Sequence, residues 1–181
     1  MSDTAILSRS VSAQELPSAP VEISADVAAR SALAAANDLV SVDRLHASVE
    51  LSRAPGGAIV VSGHIVADIV QTCVVSLVPV PAHIDEDFSV RFIAGVRSGA
   101  EPALELVLDP AAPDPPEVLT GPAIDIGALV EEHFILAIDP YPRAPGAVLP
   151  GDVHDDAPAD GDSPFAALAK LVPQGKDRDR K

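Results

Sequence analysis

The chain has 181 residues, of which 48% are hydrophobic and 3% aromatic, so it is long enough for one ordinary domain with a core of aliphatic side chains. Its formal net charge of −15 argues against strong direct binding of nucleic acid, because such affinity comes largely from Lys and Arg. The single cysteine excludes an internal disulfide and a four-cysteine zinc site. Neither a signal peptide nor a membrane-length apolar run is found, which predicts a cytoplasmic protein.

The first predicted elements are a helix and a strand. Residues 23–39, "ISADVAARSALAAANDL", are rich in alanine, and Ser24 can serve as the N-cap with Asp26 in the first turn. Residues 45–53, "LHASVELSR", alternate apolar and polar side chains with the period of a strand that buries one face. The group Pro55-Gly56-Gly57 then predicts a turn into a second strand.

The second strand, predicted over residues 58–72, is apolar on both faces, which predicts a central strand covered on both sides. Pro79 and Pro81 predict an extended connection after it, since each proline ring removes a backbone donor. A further strand is predicted in "IDEDFSVRFI", with Phe88, Val90 and Phe92 on one face. The segment "LELVL", residues 104–108, predicts another short strand.

A second helix is predicted to begin after Asp125, which is a suitable N-cap, and to stop at the pair Asp139-Pro140. Glu131 and Glu132 are expected to face water on the side opposite an apolar stripe. The stripe consists of Ile126, Leu129, Val130, Phe134, Ala137 and Ile138.

The rest of the chain predicts a tether and a terminal helix. Residues 141–162 are rich in Pro, Gly, Ala and Asp with few large apolar side chains, which predicts a flexible acidic linker. Ser163 and Pro164 open a short helix over residues 163–173, and a charged tail follows over 174–181. We therefore predict an α+β fold in residues 1–140, with a mainly antiparallel sheet of about four to six strands, two packed helices and a tethered C-terminal helix.

The thiol of Cys73 could act as a nucleophile or could simply be a small buried side chain. A nucleophilic thiol needs a base or cation that lowers its pKa, and the only basic side chains within ten positions are His64 and His83. We therefore expect a small buried residue. The histidines are scattered without an HExxH motif, and adjacent acids such as Glu131-Glu132 usually form a solvated face. We predict no catalytic residue, no cofactor and no metal site.

Three segments form a recognisable set: "GHIVADIVQTCVVSLVPVPAHIDEDFSVRF", "IDIGALVEEHFILAIDPYPRAPG" and "SPFAALAKL". The first contains a strand ending in cysteine, then L-x-P-V, then I-x-x-x-F-x-V-x-F. In this order the segments resemble the YceD family, also called DUF177, over residues 45–172. The resemblance implies a non-enzymatic role in the accumulation of large-subunit ribosomal RNA, and hence in ribosome biogenesis.

The partner that this resemblance implies is a ribosomal protein or a large-subunit precursor, with neither a membrane nor a small-molecule substrate expected. Many members carry a CxxC-type set after the amphipathic helix that looks like a zinc site, but this chain has no cysteine there. Two alternatives stay open: an adaptor or chaperone for a basic ribosomal protein, and a small cysteine-dependent enzyme. The residues of the structural motif are Cys73, Gly63 and Pro79, and the candidate partner contacts are Tyr141, Arg143, Phe165 and Leu168.

Overall fold

The computed structural model describes residues 5–95 and 115–148. A 3-10 turn, Pro55–Gly57, lies where the sequence predicts a turn between two strands. The strand predicted at 104–108 and the helix predicted at 163–173 lie outside the described residues. The elements are β1 (Ser10–Ser12), β2 (Val21–Ser24), α1 (Val27–Ala36), β3 (Ser41–Arg53), β4 (Ile59–Thr72), β5 (Pro79–Ala94), β6 (Glu117–Leu119), β7 (Ala123–Asp125) and α2 (Ile126–Leu136).

The strands form two sheets. The larger has the order β2-β3-β4-β5-β6, and the smaller joins β1 to β7. Every described pair is antiparallel except β5 with β6, which is parallel. The prediction of an α+β fold with a mainly antiparallel sheet and two helices is therefore confirmed for the described residues.

The larger sheet buries one face and exposes the other. Along β4, Val61 and Ile65 are buried, whereas Ser62 and His64 are exposed. Helix α1 contacts β3 and helix α2 contacts β4, and the buried residues of both helices belong to the same apolar core as the buried strand residues. Both helices therefore cover the same face of the sheet.

The prediction that β4 is covered on both sides is wrong. Val60, Val66 and Val70 point to the second face and are only partly buried. Polar residues alternate with them along the same face, so this face meets solvent although it carries some valines. β4 is nevertheless central, because it pairs with β3 on one side and β5 on the other.

The first helix is shorter than predicted and has a different cap. Ser24 belongs to β2, where Ile23 is buried and lies opposite Ala47 of β3. The N-cap is Asp26, whose Oδ1 accepts a hydrogen bond from the Ala29 N–H at 2.8 Å. The prediction failed because pairing with β3 holds the first residues of the segment in an extended conformation.

Pro79 and Pro81 also lie in a strand, not in a connection outside the sheet. They belong to β5 and lie opposite Thr72 and Val70 of β4. β6 joins β5 only from Phe92 onward, so β4 is the one described neighbour of the first part of β5. Proline is tolerated there because a strand edge without a partner needs no N–H donor.

The second helix begins where the sequence predicts, with Asp125 as its cap. Oδ1 of Asp125 accepts hydrogen bonds from the N–H groups of Gly127 and Ala128, each at 3.1 Å. The prediction that Glu131 faces water is wrong, because this carboxylate is half-buried and accepts a hydrogen bond from the Leu7 N–H at 2.9 Å. The N-terminal segment therefore lies against this helix.

Gly63 is required by the way in which Phe88 packs. It lies opposite Phe88 across the β4–β5 pair, and a Cβ atom at this position would overlap the Phe88 ring. The ring also stacks on His133 of α2, with ring centroids 4.4 Å apart and planes inclined by 12°. The absence of a side chain at Gly63 thus gives Phe88 room to pack between the sheet and the helix.

Substituting Gly63→Ala should lower the free energy of unfolding by about 1–3 kcal/mol, because the Phe88 ring would have to leave its position against His133. Chemical denaturation of the purified protein measures this. Gly121→Ala is the matched control, since a Cβ atom there meets no atom within 4 Å. Equal stabilities of the two variants would show that the close packing of Gly63 is unimportant.

Candidate functional site

Two chain segments meet beyond the end of β4: the turn of residues 73–78 and the segment of residues 139–147 that follows α2. Gln71 is buried, and its Nε2 donates to the Asp139 carbonyl at 2.7 Å. The Val74 N–H donates to the Pro142 carbonyl at 2.9 Å. We call these two segments, together with Gln71, the Cys73 site.

Cys73 lies at the centre of this site and is fully buried. Its Sγ accepts hydrogen bonds from the N–H groups of Ala144 at 3.2 Å and Ser76 at 3.3 Å. The hydrogen bond from Ala144, followed by those from Ser76, lowers the pKa of the thiol to about 6. The groups that lower this pKa are backbone amides, which the positions of basic side chains in the sequence do not reveal.

The environment of the sulfur favours anchoring over catalysis. In the described chain, the hydrogen-bond donors to Sγ are backbone amides, and neither is a base that could cycle a proton during a reaction. The buried sulfur is also closed to an incoming substrate in this conformation. Cys73 instead connects the turn to the segment after α2.

The outer surface of the site carries exposed apolar side chains. Val74 is 47% exposed, Leu77 75% and Tyr141 72%. Leu77 also has a φ of 60°, a left-handed conformation that is uncommon for a bulky residue. Large apolar side chains held outward on anchored loops are typical of surfaces that contact other molecules.

The structure brings several of the residues singled out from sequence to this one place. Tyr141 and Arg143 are exposed and flank the buried Pro142, and Pro79 starts β5 directly after the turn. Gly63 lies elsewhere, within β4. Phe165 and Leu168 lie outside the described residues, so their role and the domain boundaries stay predictions.

Sequence reasoning missed the residues that build the site: Gln71, Pro142 and Ala144. A polar Gln71 at an inward-facing strand position was one available signal, because a buried amide requires a partner. Leu77 also had a signal in the sequence, since it is the first residue of the L-x-P-V pattern. The contact between residue 73 and residue 144 has no signal in a single sequence.

The exposed face of the larger sheet is the second feature that carries chemically functional side chains. It brings together histidines that are scattered in sequence, and each pairs with a carboxylate: His46 with Glu22 at 2.9 Å, His64 with Asp87 at 2.8 Å, and His83 with Asp68 at 2.6 Å. The hydrogen bond from His83, followed by that from Arg44, holds the pKa of Asp68 below its usual value. Within residues 5–95 and 115–148, no group of three or more His, Cys, Asp or Glu could hold a metal ion.

These features define a class: a small α+β protein with helices on one face of its sheet, a polar second face and an anchored apolar loop surface. The chain belongs to the YceD family, because the family model described as "Large ribosomal RNA subunit accumulation protein YceD" matches residues 61–172. The match contains β4 from Val61 onward, Cys73, β5 and α2, and it confirms the resemblance seen in the sequence.

The family description implies a role in the accumulation of large-subunit ribosomal RNA. Comparisons with curated proteins and with solved structures found no match. Neither α1 nor α2 has the length and apolar character of a membrane span.

The lowered pKa of Cys73 should make the free energy of unfolding depend on pH. The thiol returns to its usual pKa of 9.0 on unfolding, so between pH 6 and 9 the unfolded chain binds more protons and stability rises with pH. This contribution is fully present above pH 9 and is lost as pH falls through about 6.

Denaturant unfolding at several pH values, compared between the wild type and Cys73→Ser, measures this effect. Serine keeps the shape of the side chain but does not titrate in this range. As pH rises from about 6 to 9, the free energy of unfolding of the wild type should increase relative to that of Cys73→Ser. A difference that is constant with pH would mean that the thiol keeps its ordinary pKa in the folded protein.

Proposed function

We propose that this protein is a non-enzymatic cytoplasmic factor of ribosome biogenesis, which supports the accumulation of large-subunit ribosomal RNA through protein contacts. The observation that carries the proposal is the Cys73 site, where Tyr141 and Arg143 are exposed on a segment that hydrogen bonds of the buried Pro142 and the half-buried Ala144 hold in place. The family description supports the process, and the site supports contact as its mechanism.

The chemistry of the site suits a protein partner. Tyr and Arg are among the residues that contribute most to binding energy at protein interfaces. Because hydrogen bonds to Cys73 and Val74 hold the segment, binding would cost less conformational entropy than it would for a free loop. Leu77 and Val78 extend the apolar surface beside it.

The charge of the chain indicates the kind of partner. With a net charge of −15, the protein should attract a basic ribosomal protein and oppose the approach of RNA phosphates. The same charge favours a second candidate function, that of an adaptor or chaperone for a basic ribosomal protein before its assembly. The two differ in whether the partner is bound within a large-subunit precursor or alone. Phe165 and Leu168 stay predicted contact residues.

Tyr141→Ala combined with Arg143→Ala tests the proposal. Gradient sedimentation of lysates should show the wild type together with large-subunit precursors, whereas the double variant should stay near the top of the gradient. Large-subunit ribosomal RNA should fall in cells that depend on the variant. Both side chains are exposed, so the melting temperature should change little.

The matched control is Val27→Ala combined with Arg30→Ala, which also removes one apolar and one arginine side chain but from α1. It should sediment like the wild type. Co-migration of the wild type with a free ribosomal protein, and not with precursors, would favour the adaptor or chaperone. Absence of the wild type from both fractions would contradict the proposed function.

A further inference from the structure

We propose that the exposed face of the five-stranded sheet is the docking surface for an extended segment rich in lysine and arginine, carried by the protein partner. This inference rests on the proposed function and names the surface and the ligand chemistry that it uses. The docking surface is distinct from the Cys73 site, which lies beyond the end of β4.

The pairing of strands arranges the docking surface in rows. One row consists of Glu22, Ser48, His64 and Asp87, on four neighbouring strands. The adjacent row contains Glu50, Ser62 and Ser89. Residues that are far apart in sequence therefore form one continuous polar surface.

A shallow groove of about 500 Å³ runs across these two rows. Its lining includes the short side chains of Ser48, Ser62 and Ser89 and the carboxylates of Glu50 and Asp87, together with apolar surface from Phe88. Because serine side chains are short, they protrude little from the sheet, so another chain can approach the strand backbones closely at this place. The hydroxyl groups can hydrogen-bond to a polar segment, and the apolar part of the lining can contact the methylene groups of Lys or Arg side chains.

The charge of the docking surface is negative. Its carboxylates are Glu22, Glu50, Asp68, Asp85 and Asp87, and its permanent cations are Arg44 and Arg91. Arg44 is already paired with Asp68 at 2.7 Å, whereas Glu50 makes no ion pair with any described residue. Glu50 can therefore receive a cation from a ligand without giving up a pair with another described side chain.

The spacing of these charges fits an extended peptide. Asp85 and Asp87 are alternate residues of one strand, and alternate side chains on a strand are about 7 Å apart. Alternate side chains of an extended ligand have the same spacing, so successive Lys or Arg residues on one side can each meet a carboxylate. An RNA strand would instead bring its phosphates against these carboxylates.

The test uses Glu50→Gln combined with Asp87→Asn in the full chain. The probe is a short fluorescent peptide of alternating arginine and serine, and binding is measured by anisotropy at ~0.15 M salt, where long-range attraction is largely screened. We expect binding about tenfold weaker than in the wild type, because two exposed ion pairs are lost. Ser62→Lys, which places a cation in the groove, should weaken binding at least as much.

The matched control is Glu15→Gln combined with Glu132→Gln, which changes the net charge equally at exposed positions away from the docking surface. It should retain affinity within about twofold, since only the general field of the protein changes. Equal weakening by both double variants would overturn the inference, because the attraction would then come from the net charge of the whole protein and not from the docking surface. Tighter binding of an RNA strand than of the peptide would also overturn it.

Failure of this inference can be told apart from failure of the proposed function. If the wild type and Glu50→Gln with Asp87→Asn both sediment with large-subunit precursors and bind the peptide equally, the function stands and the docking surface is wrong. If the wild type does not sediment with precursors or a ribosomal protein, the proposed function is wrong whatever the peptide shows.

Discussion

Strand β4 is paired along its length with β3 on one side and β5 on the other, and this double pairing is the constraint on which the rest of the structure depends. Because side chains alternate along a strand, it separates buried from exposed residues on all three strands at once. A shift of register by one residue would place Ile65 in water and His64 in the core.

The buried side of β4 continues to the end of the strand and beyond it. Ile69, Gln71 and Cys73 occupy successive inward positions, and all three are buried. A polar amide at the second of them needs an acceptor, which the Asp139 carbonyl provides. The burial of Cys73 thus follows from the period of β4, whereas its lowered pKa follows from the segment after α2 that covers it.

The N-terminal segment lies so close to the second helix that there is no room for a side chain at Gly127. A Cβ atom at Gly127 would overlap the Leu7 carbonyl, and the Arg9 carbonyl accepts a hydrogen bond from the Ile126 N–H at 2.9 Å. The Arg9 N–H donates to Asp125 at 2.7 Å, so the residue that caps α2 also fixes this segment. One carboxylate therefore connects the helix to a part of the chain more than a hundred residues away.

The sequence by itself determined the elements whose signals are local. The alternation of β3, the position of β4 in the chain, the Gly-rich turn between them and the Asp125 cap all depend on neighbouring residues, and the structure confirms them. The tertiary structure decided what depends on distant partners: Ile23 became a strand residue through β3, and Ala144 came to donate to Cys73. It also placed the scattered histidines on one sheet face. Strand register is set by long-range pairing, so the spacing of these histidines along the chain does not predict their common face.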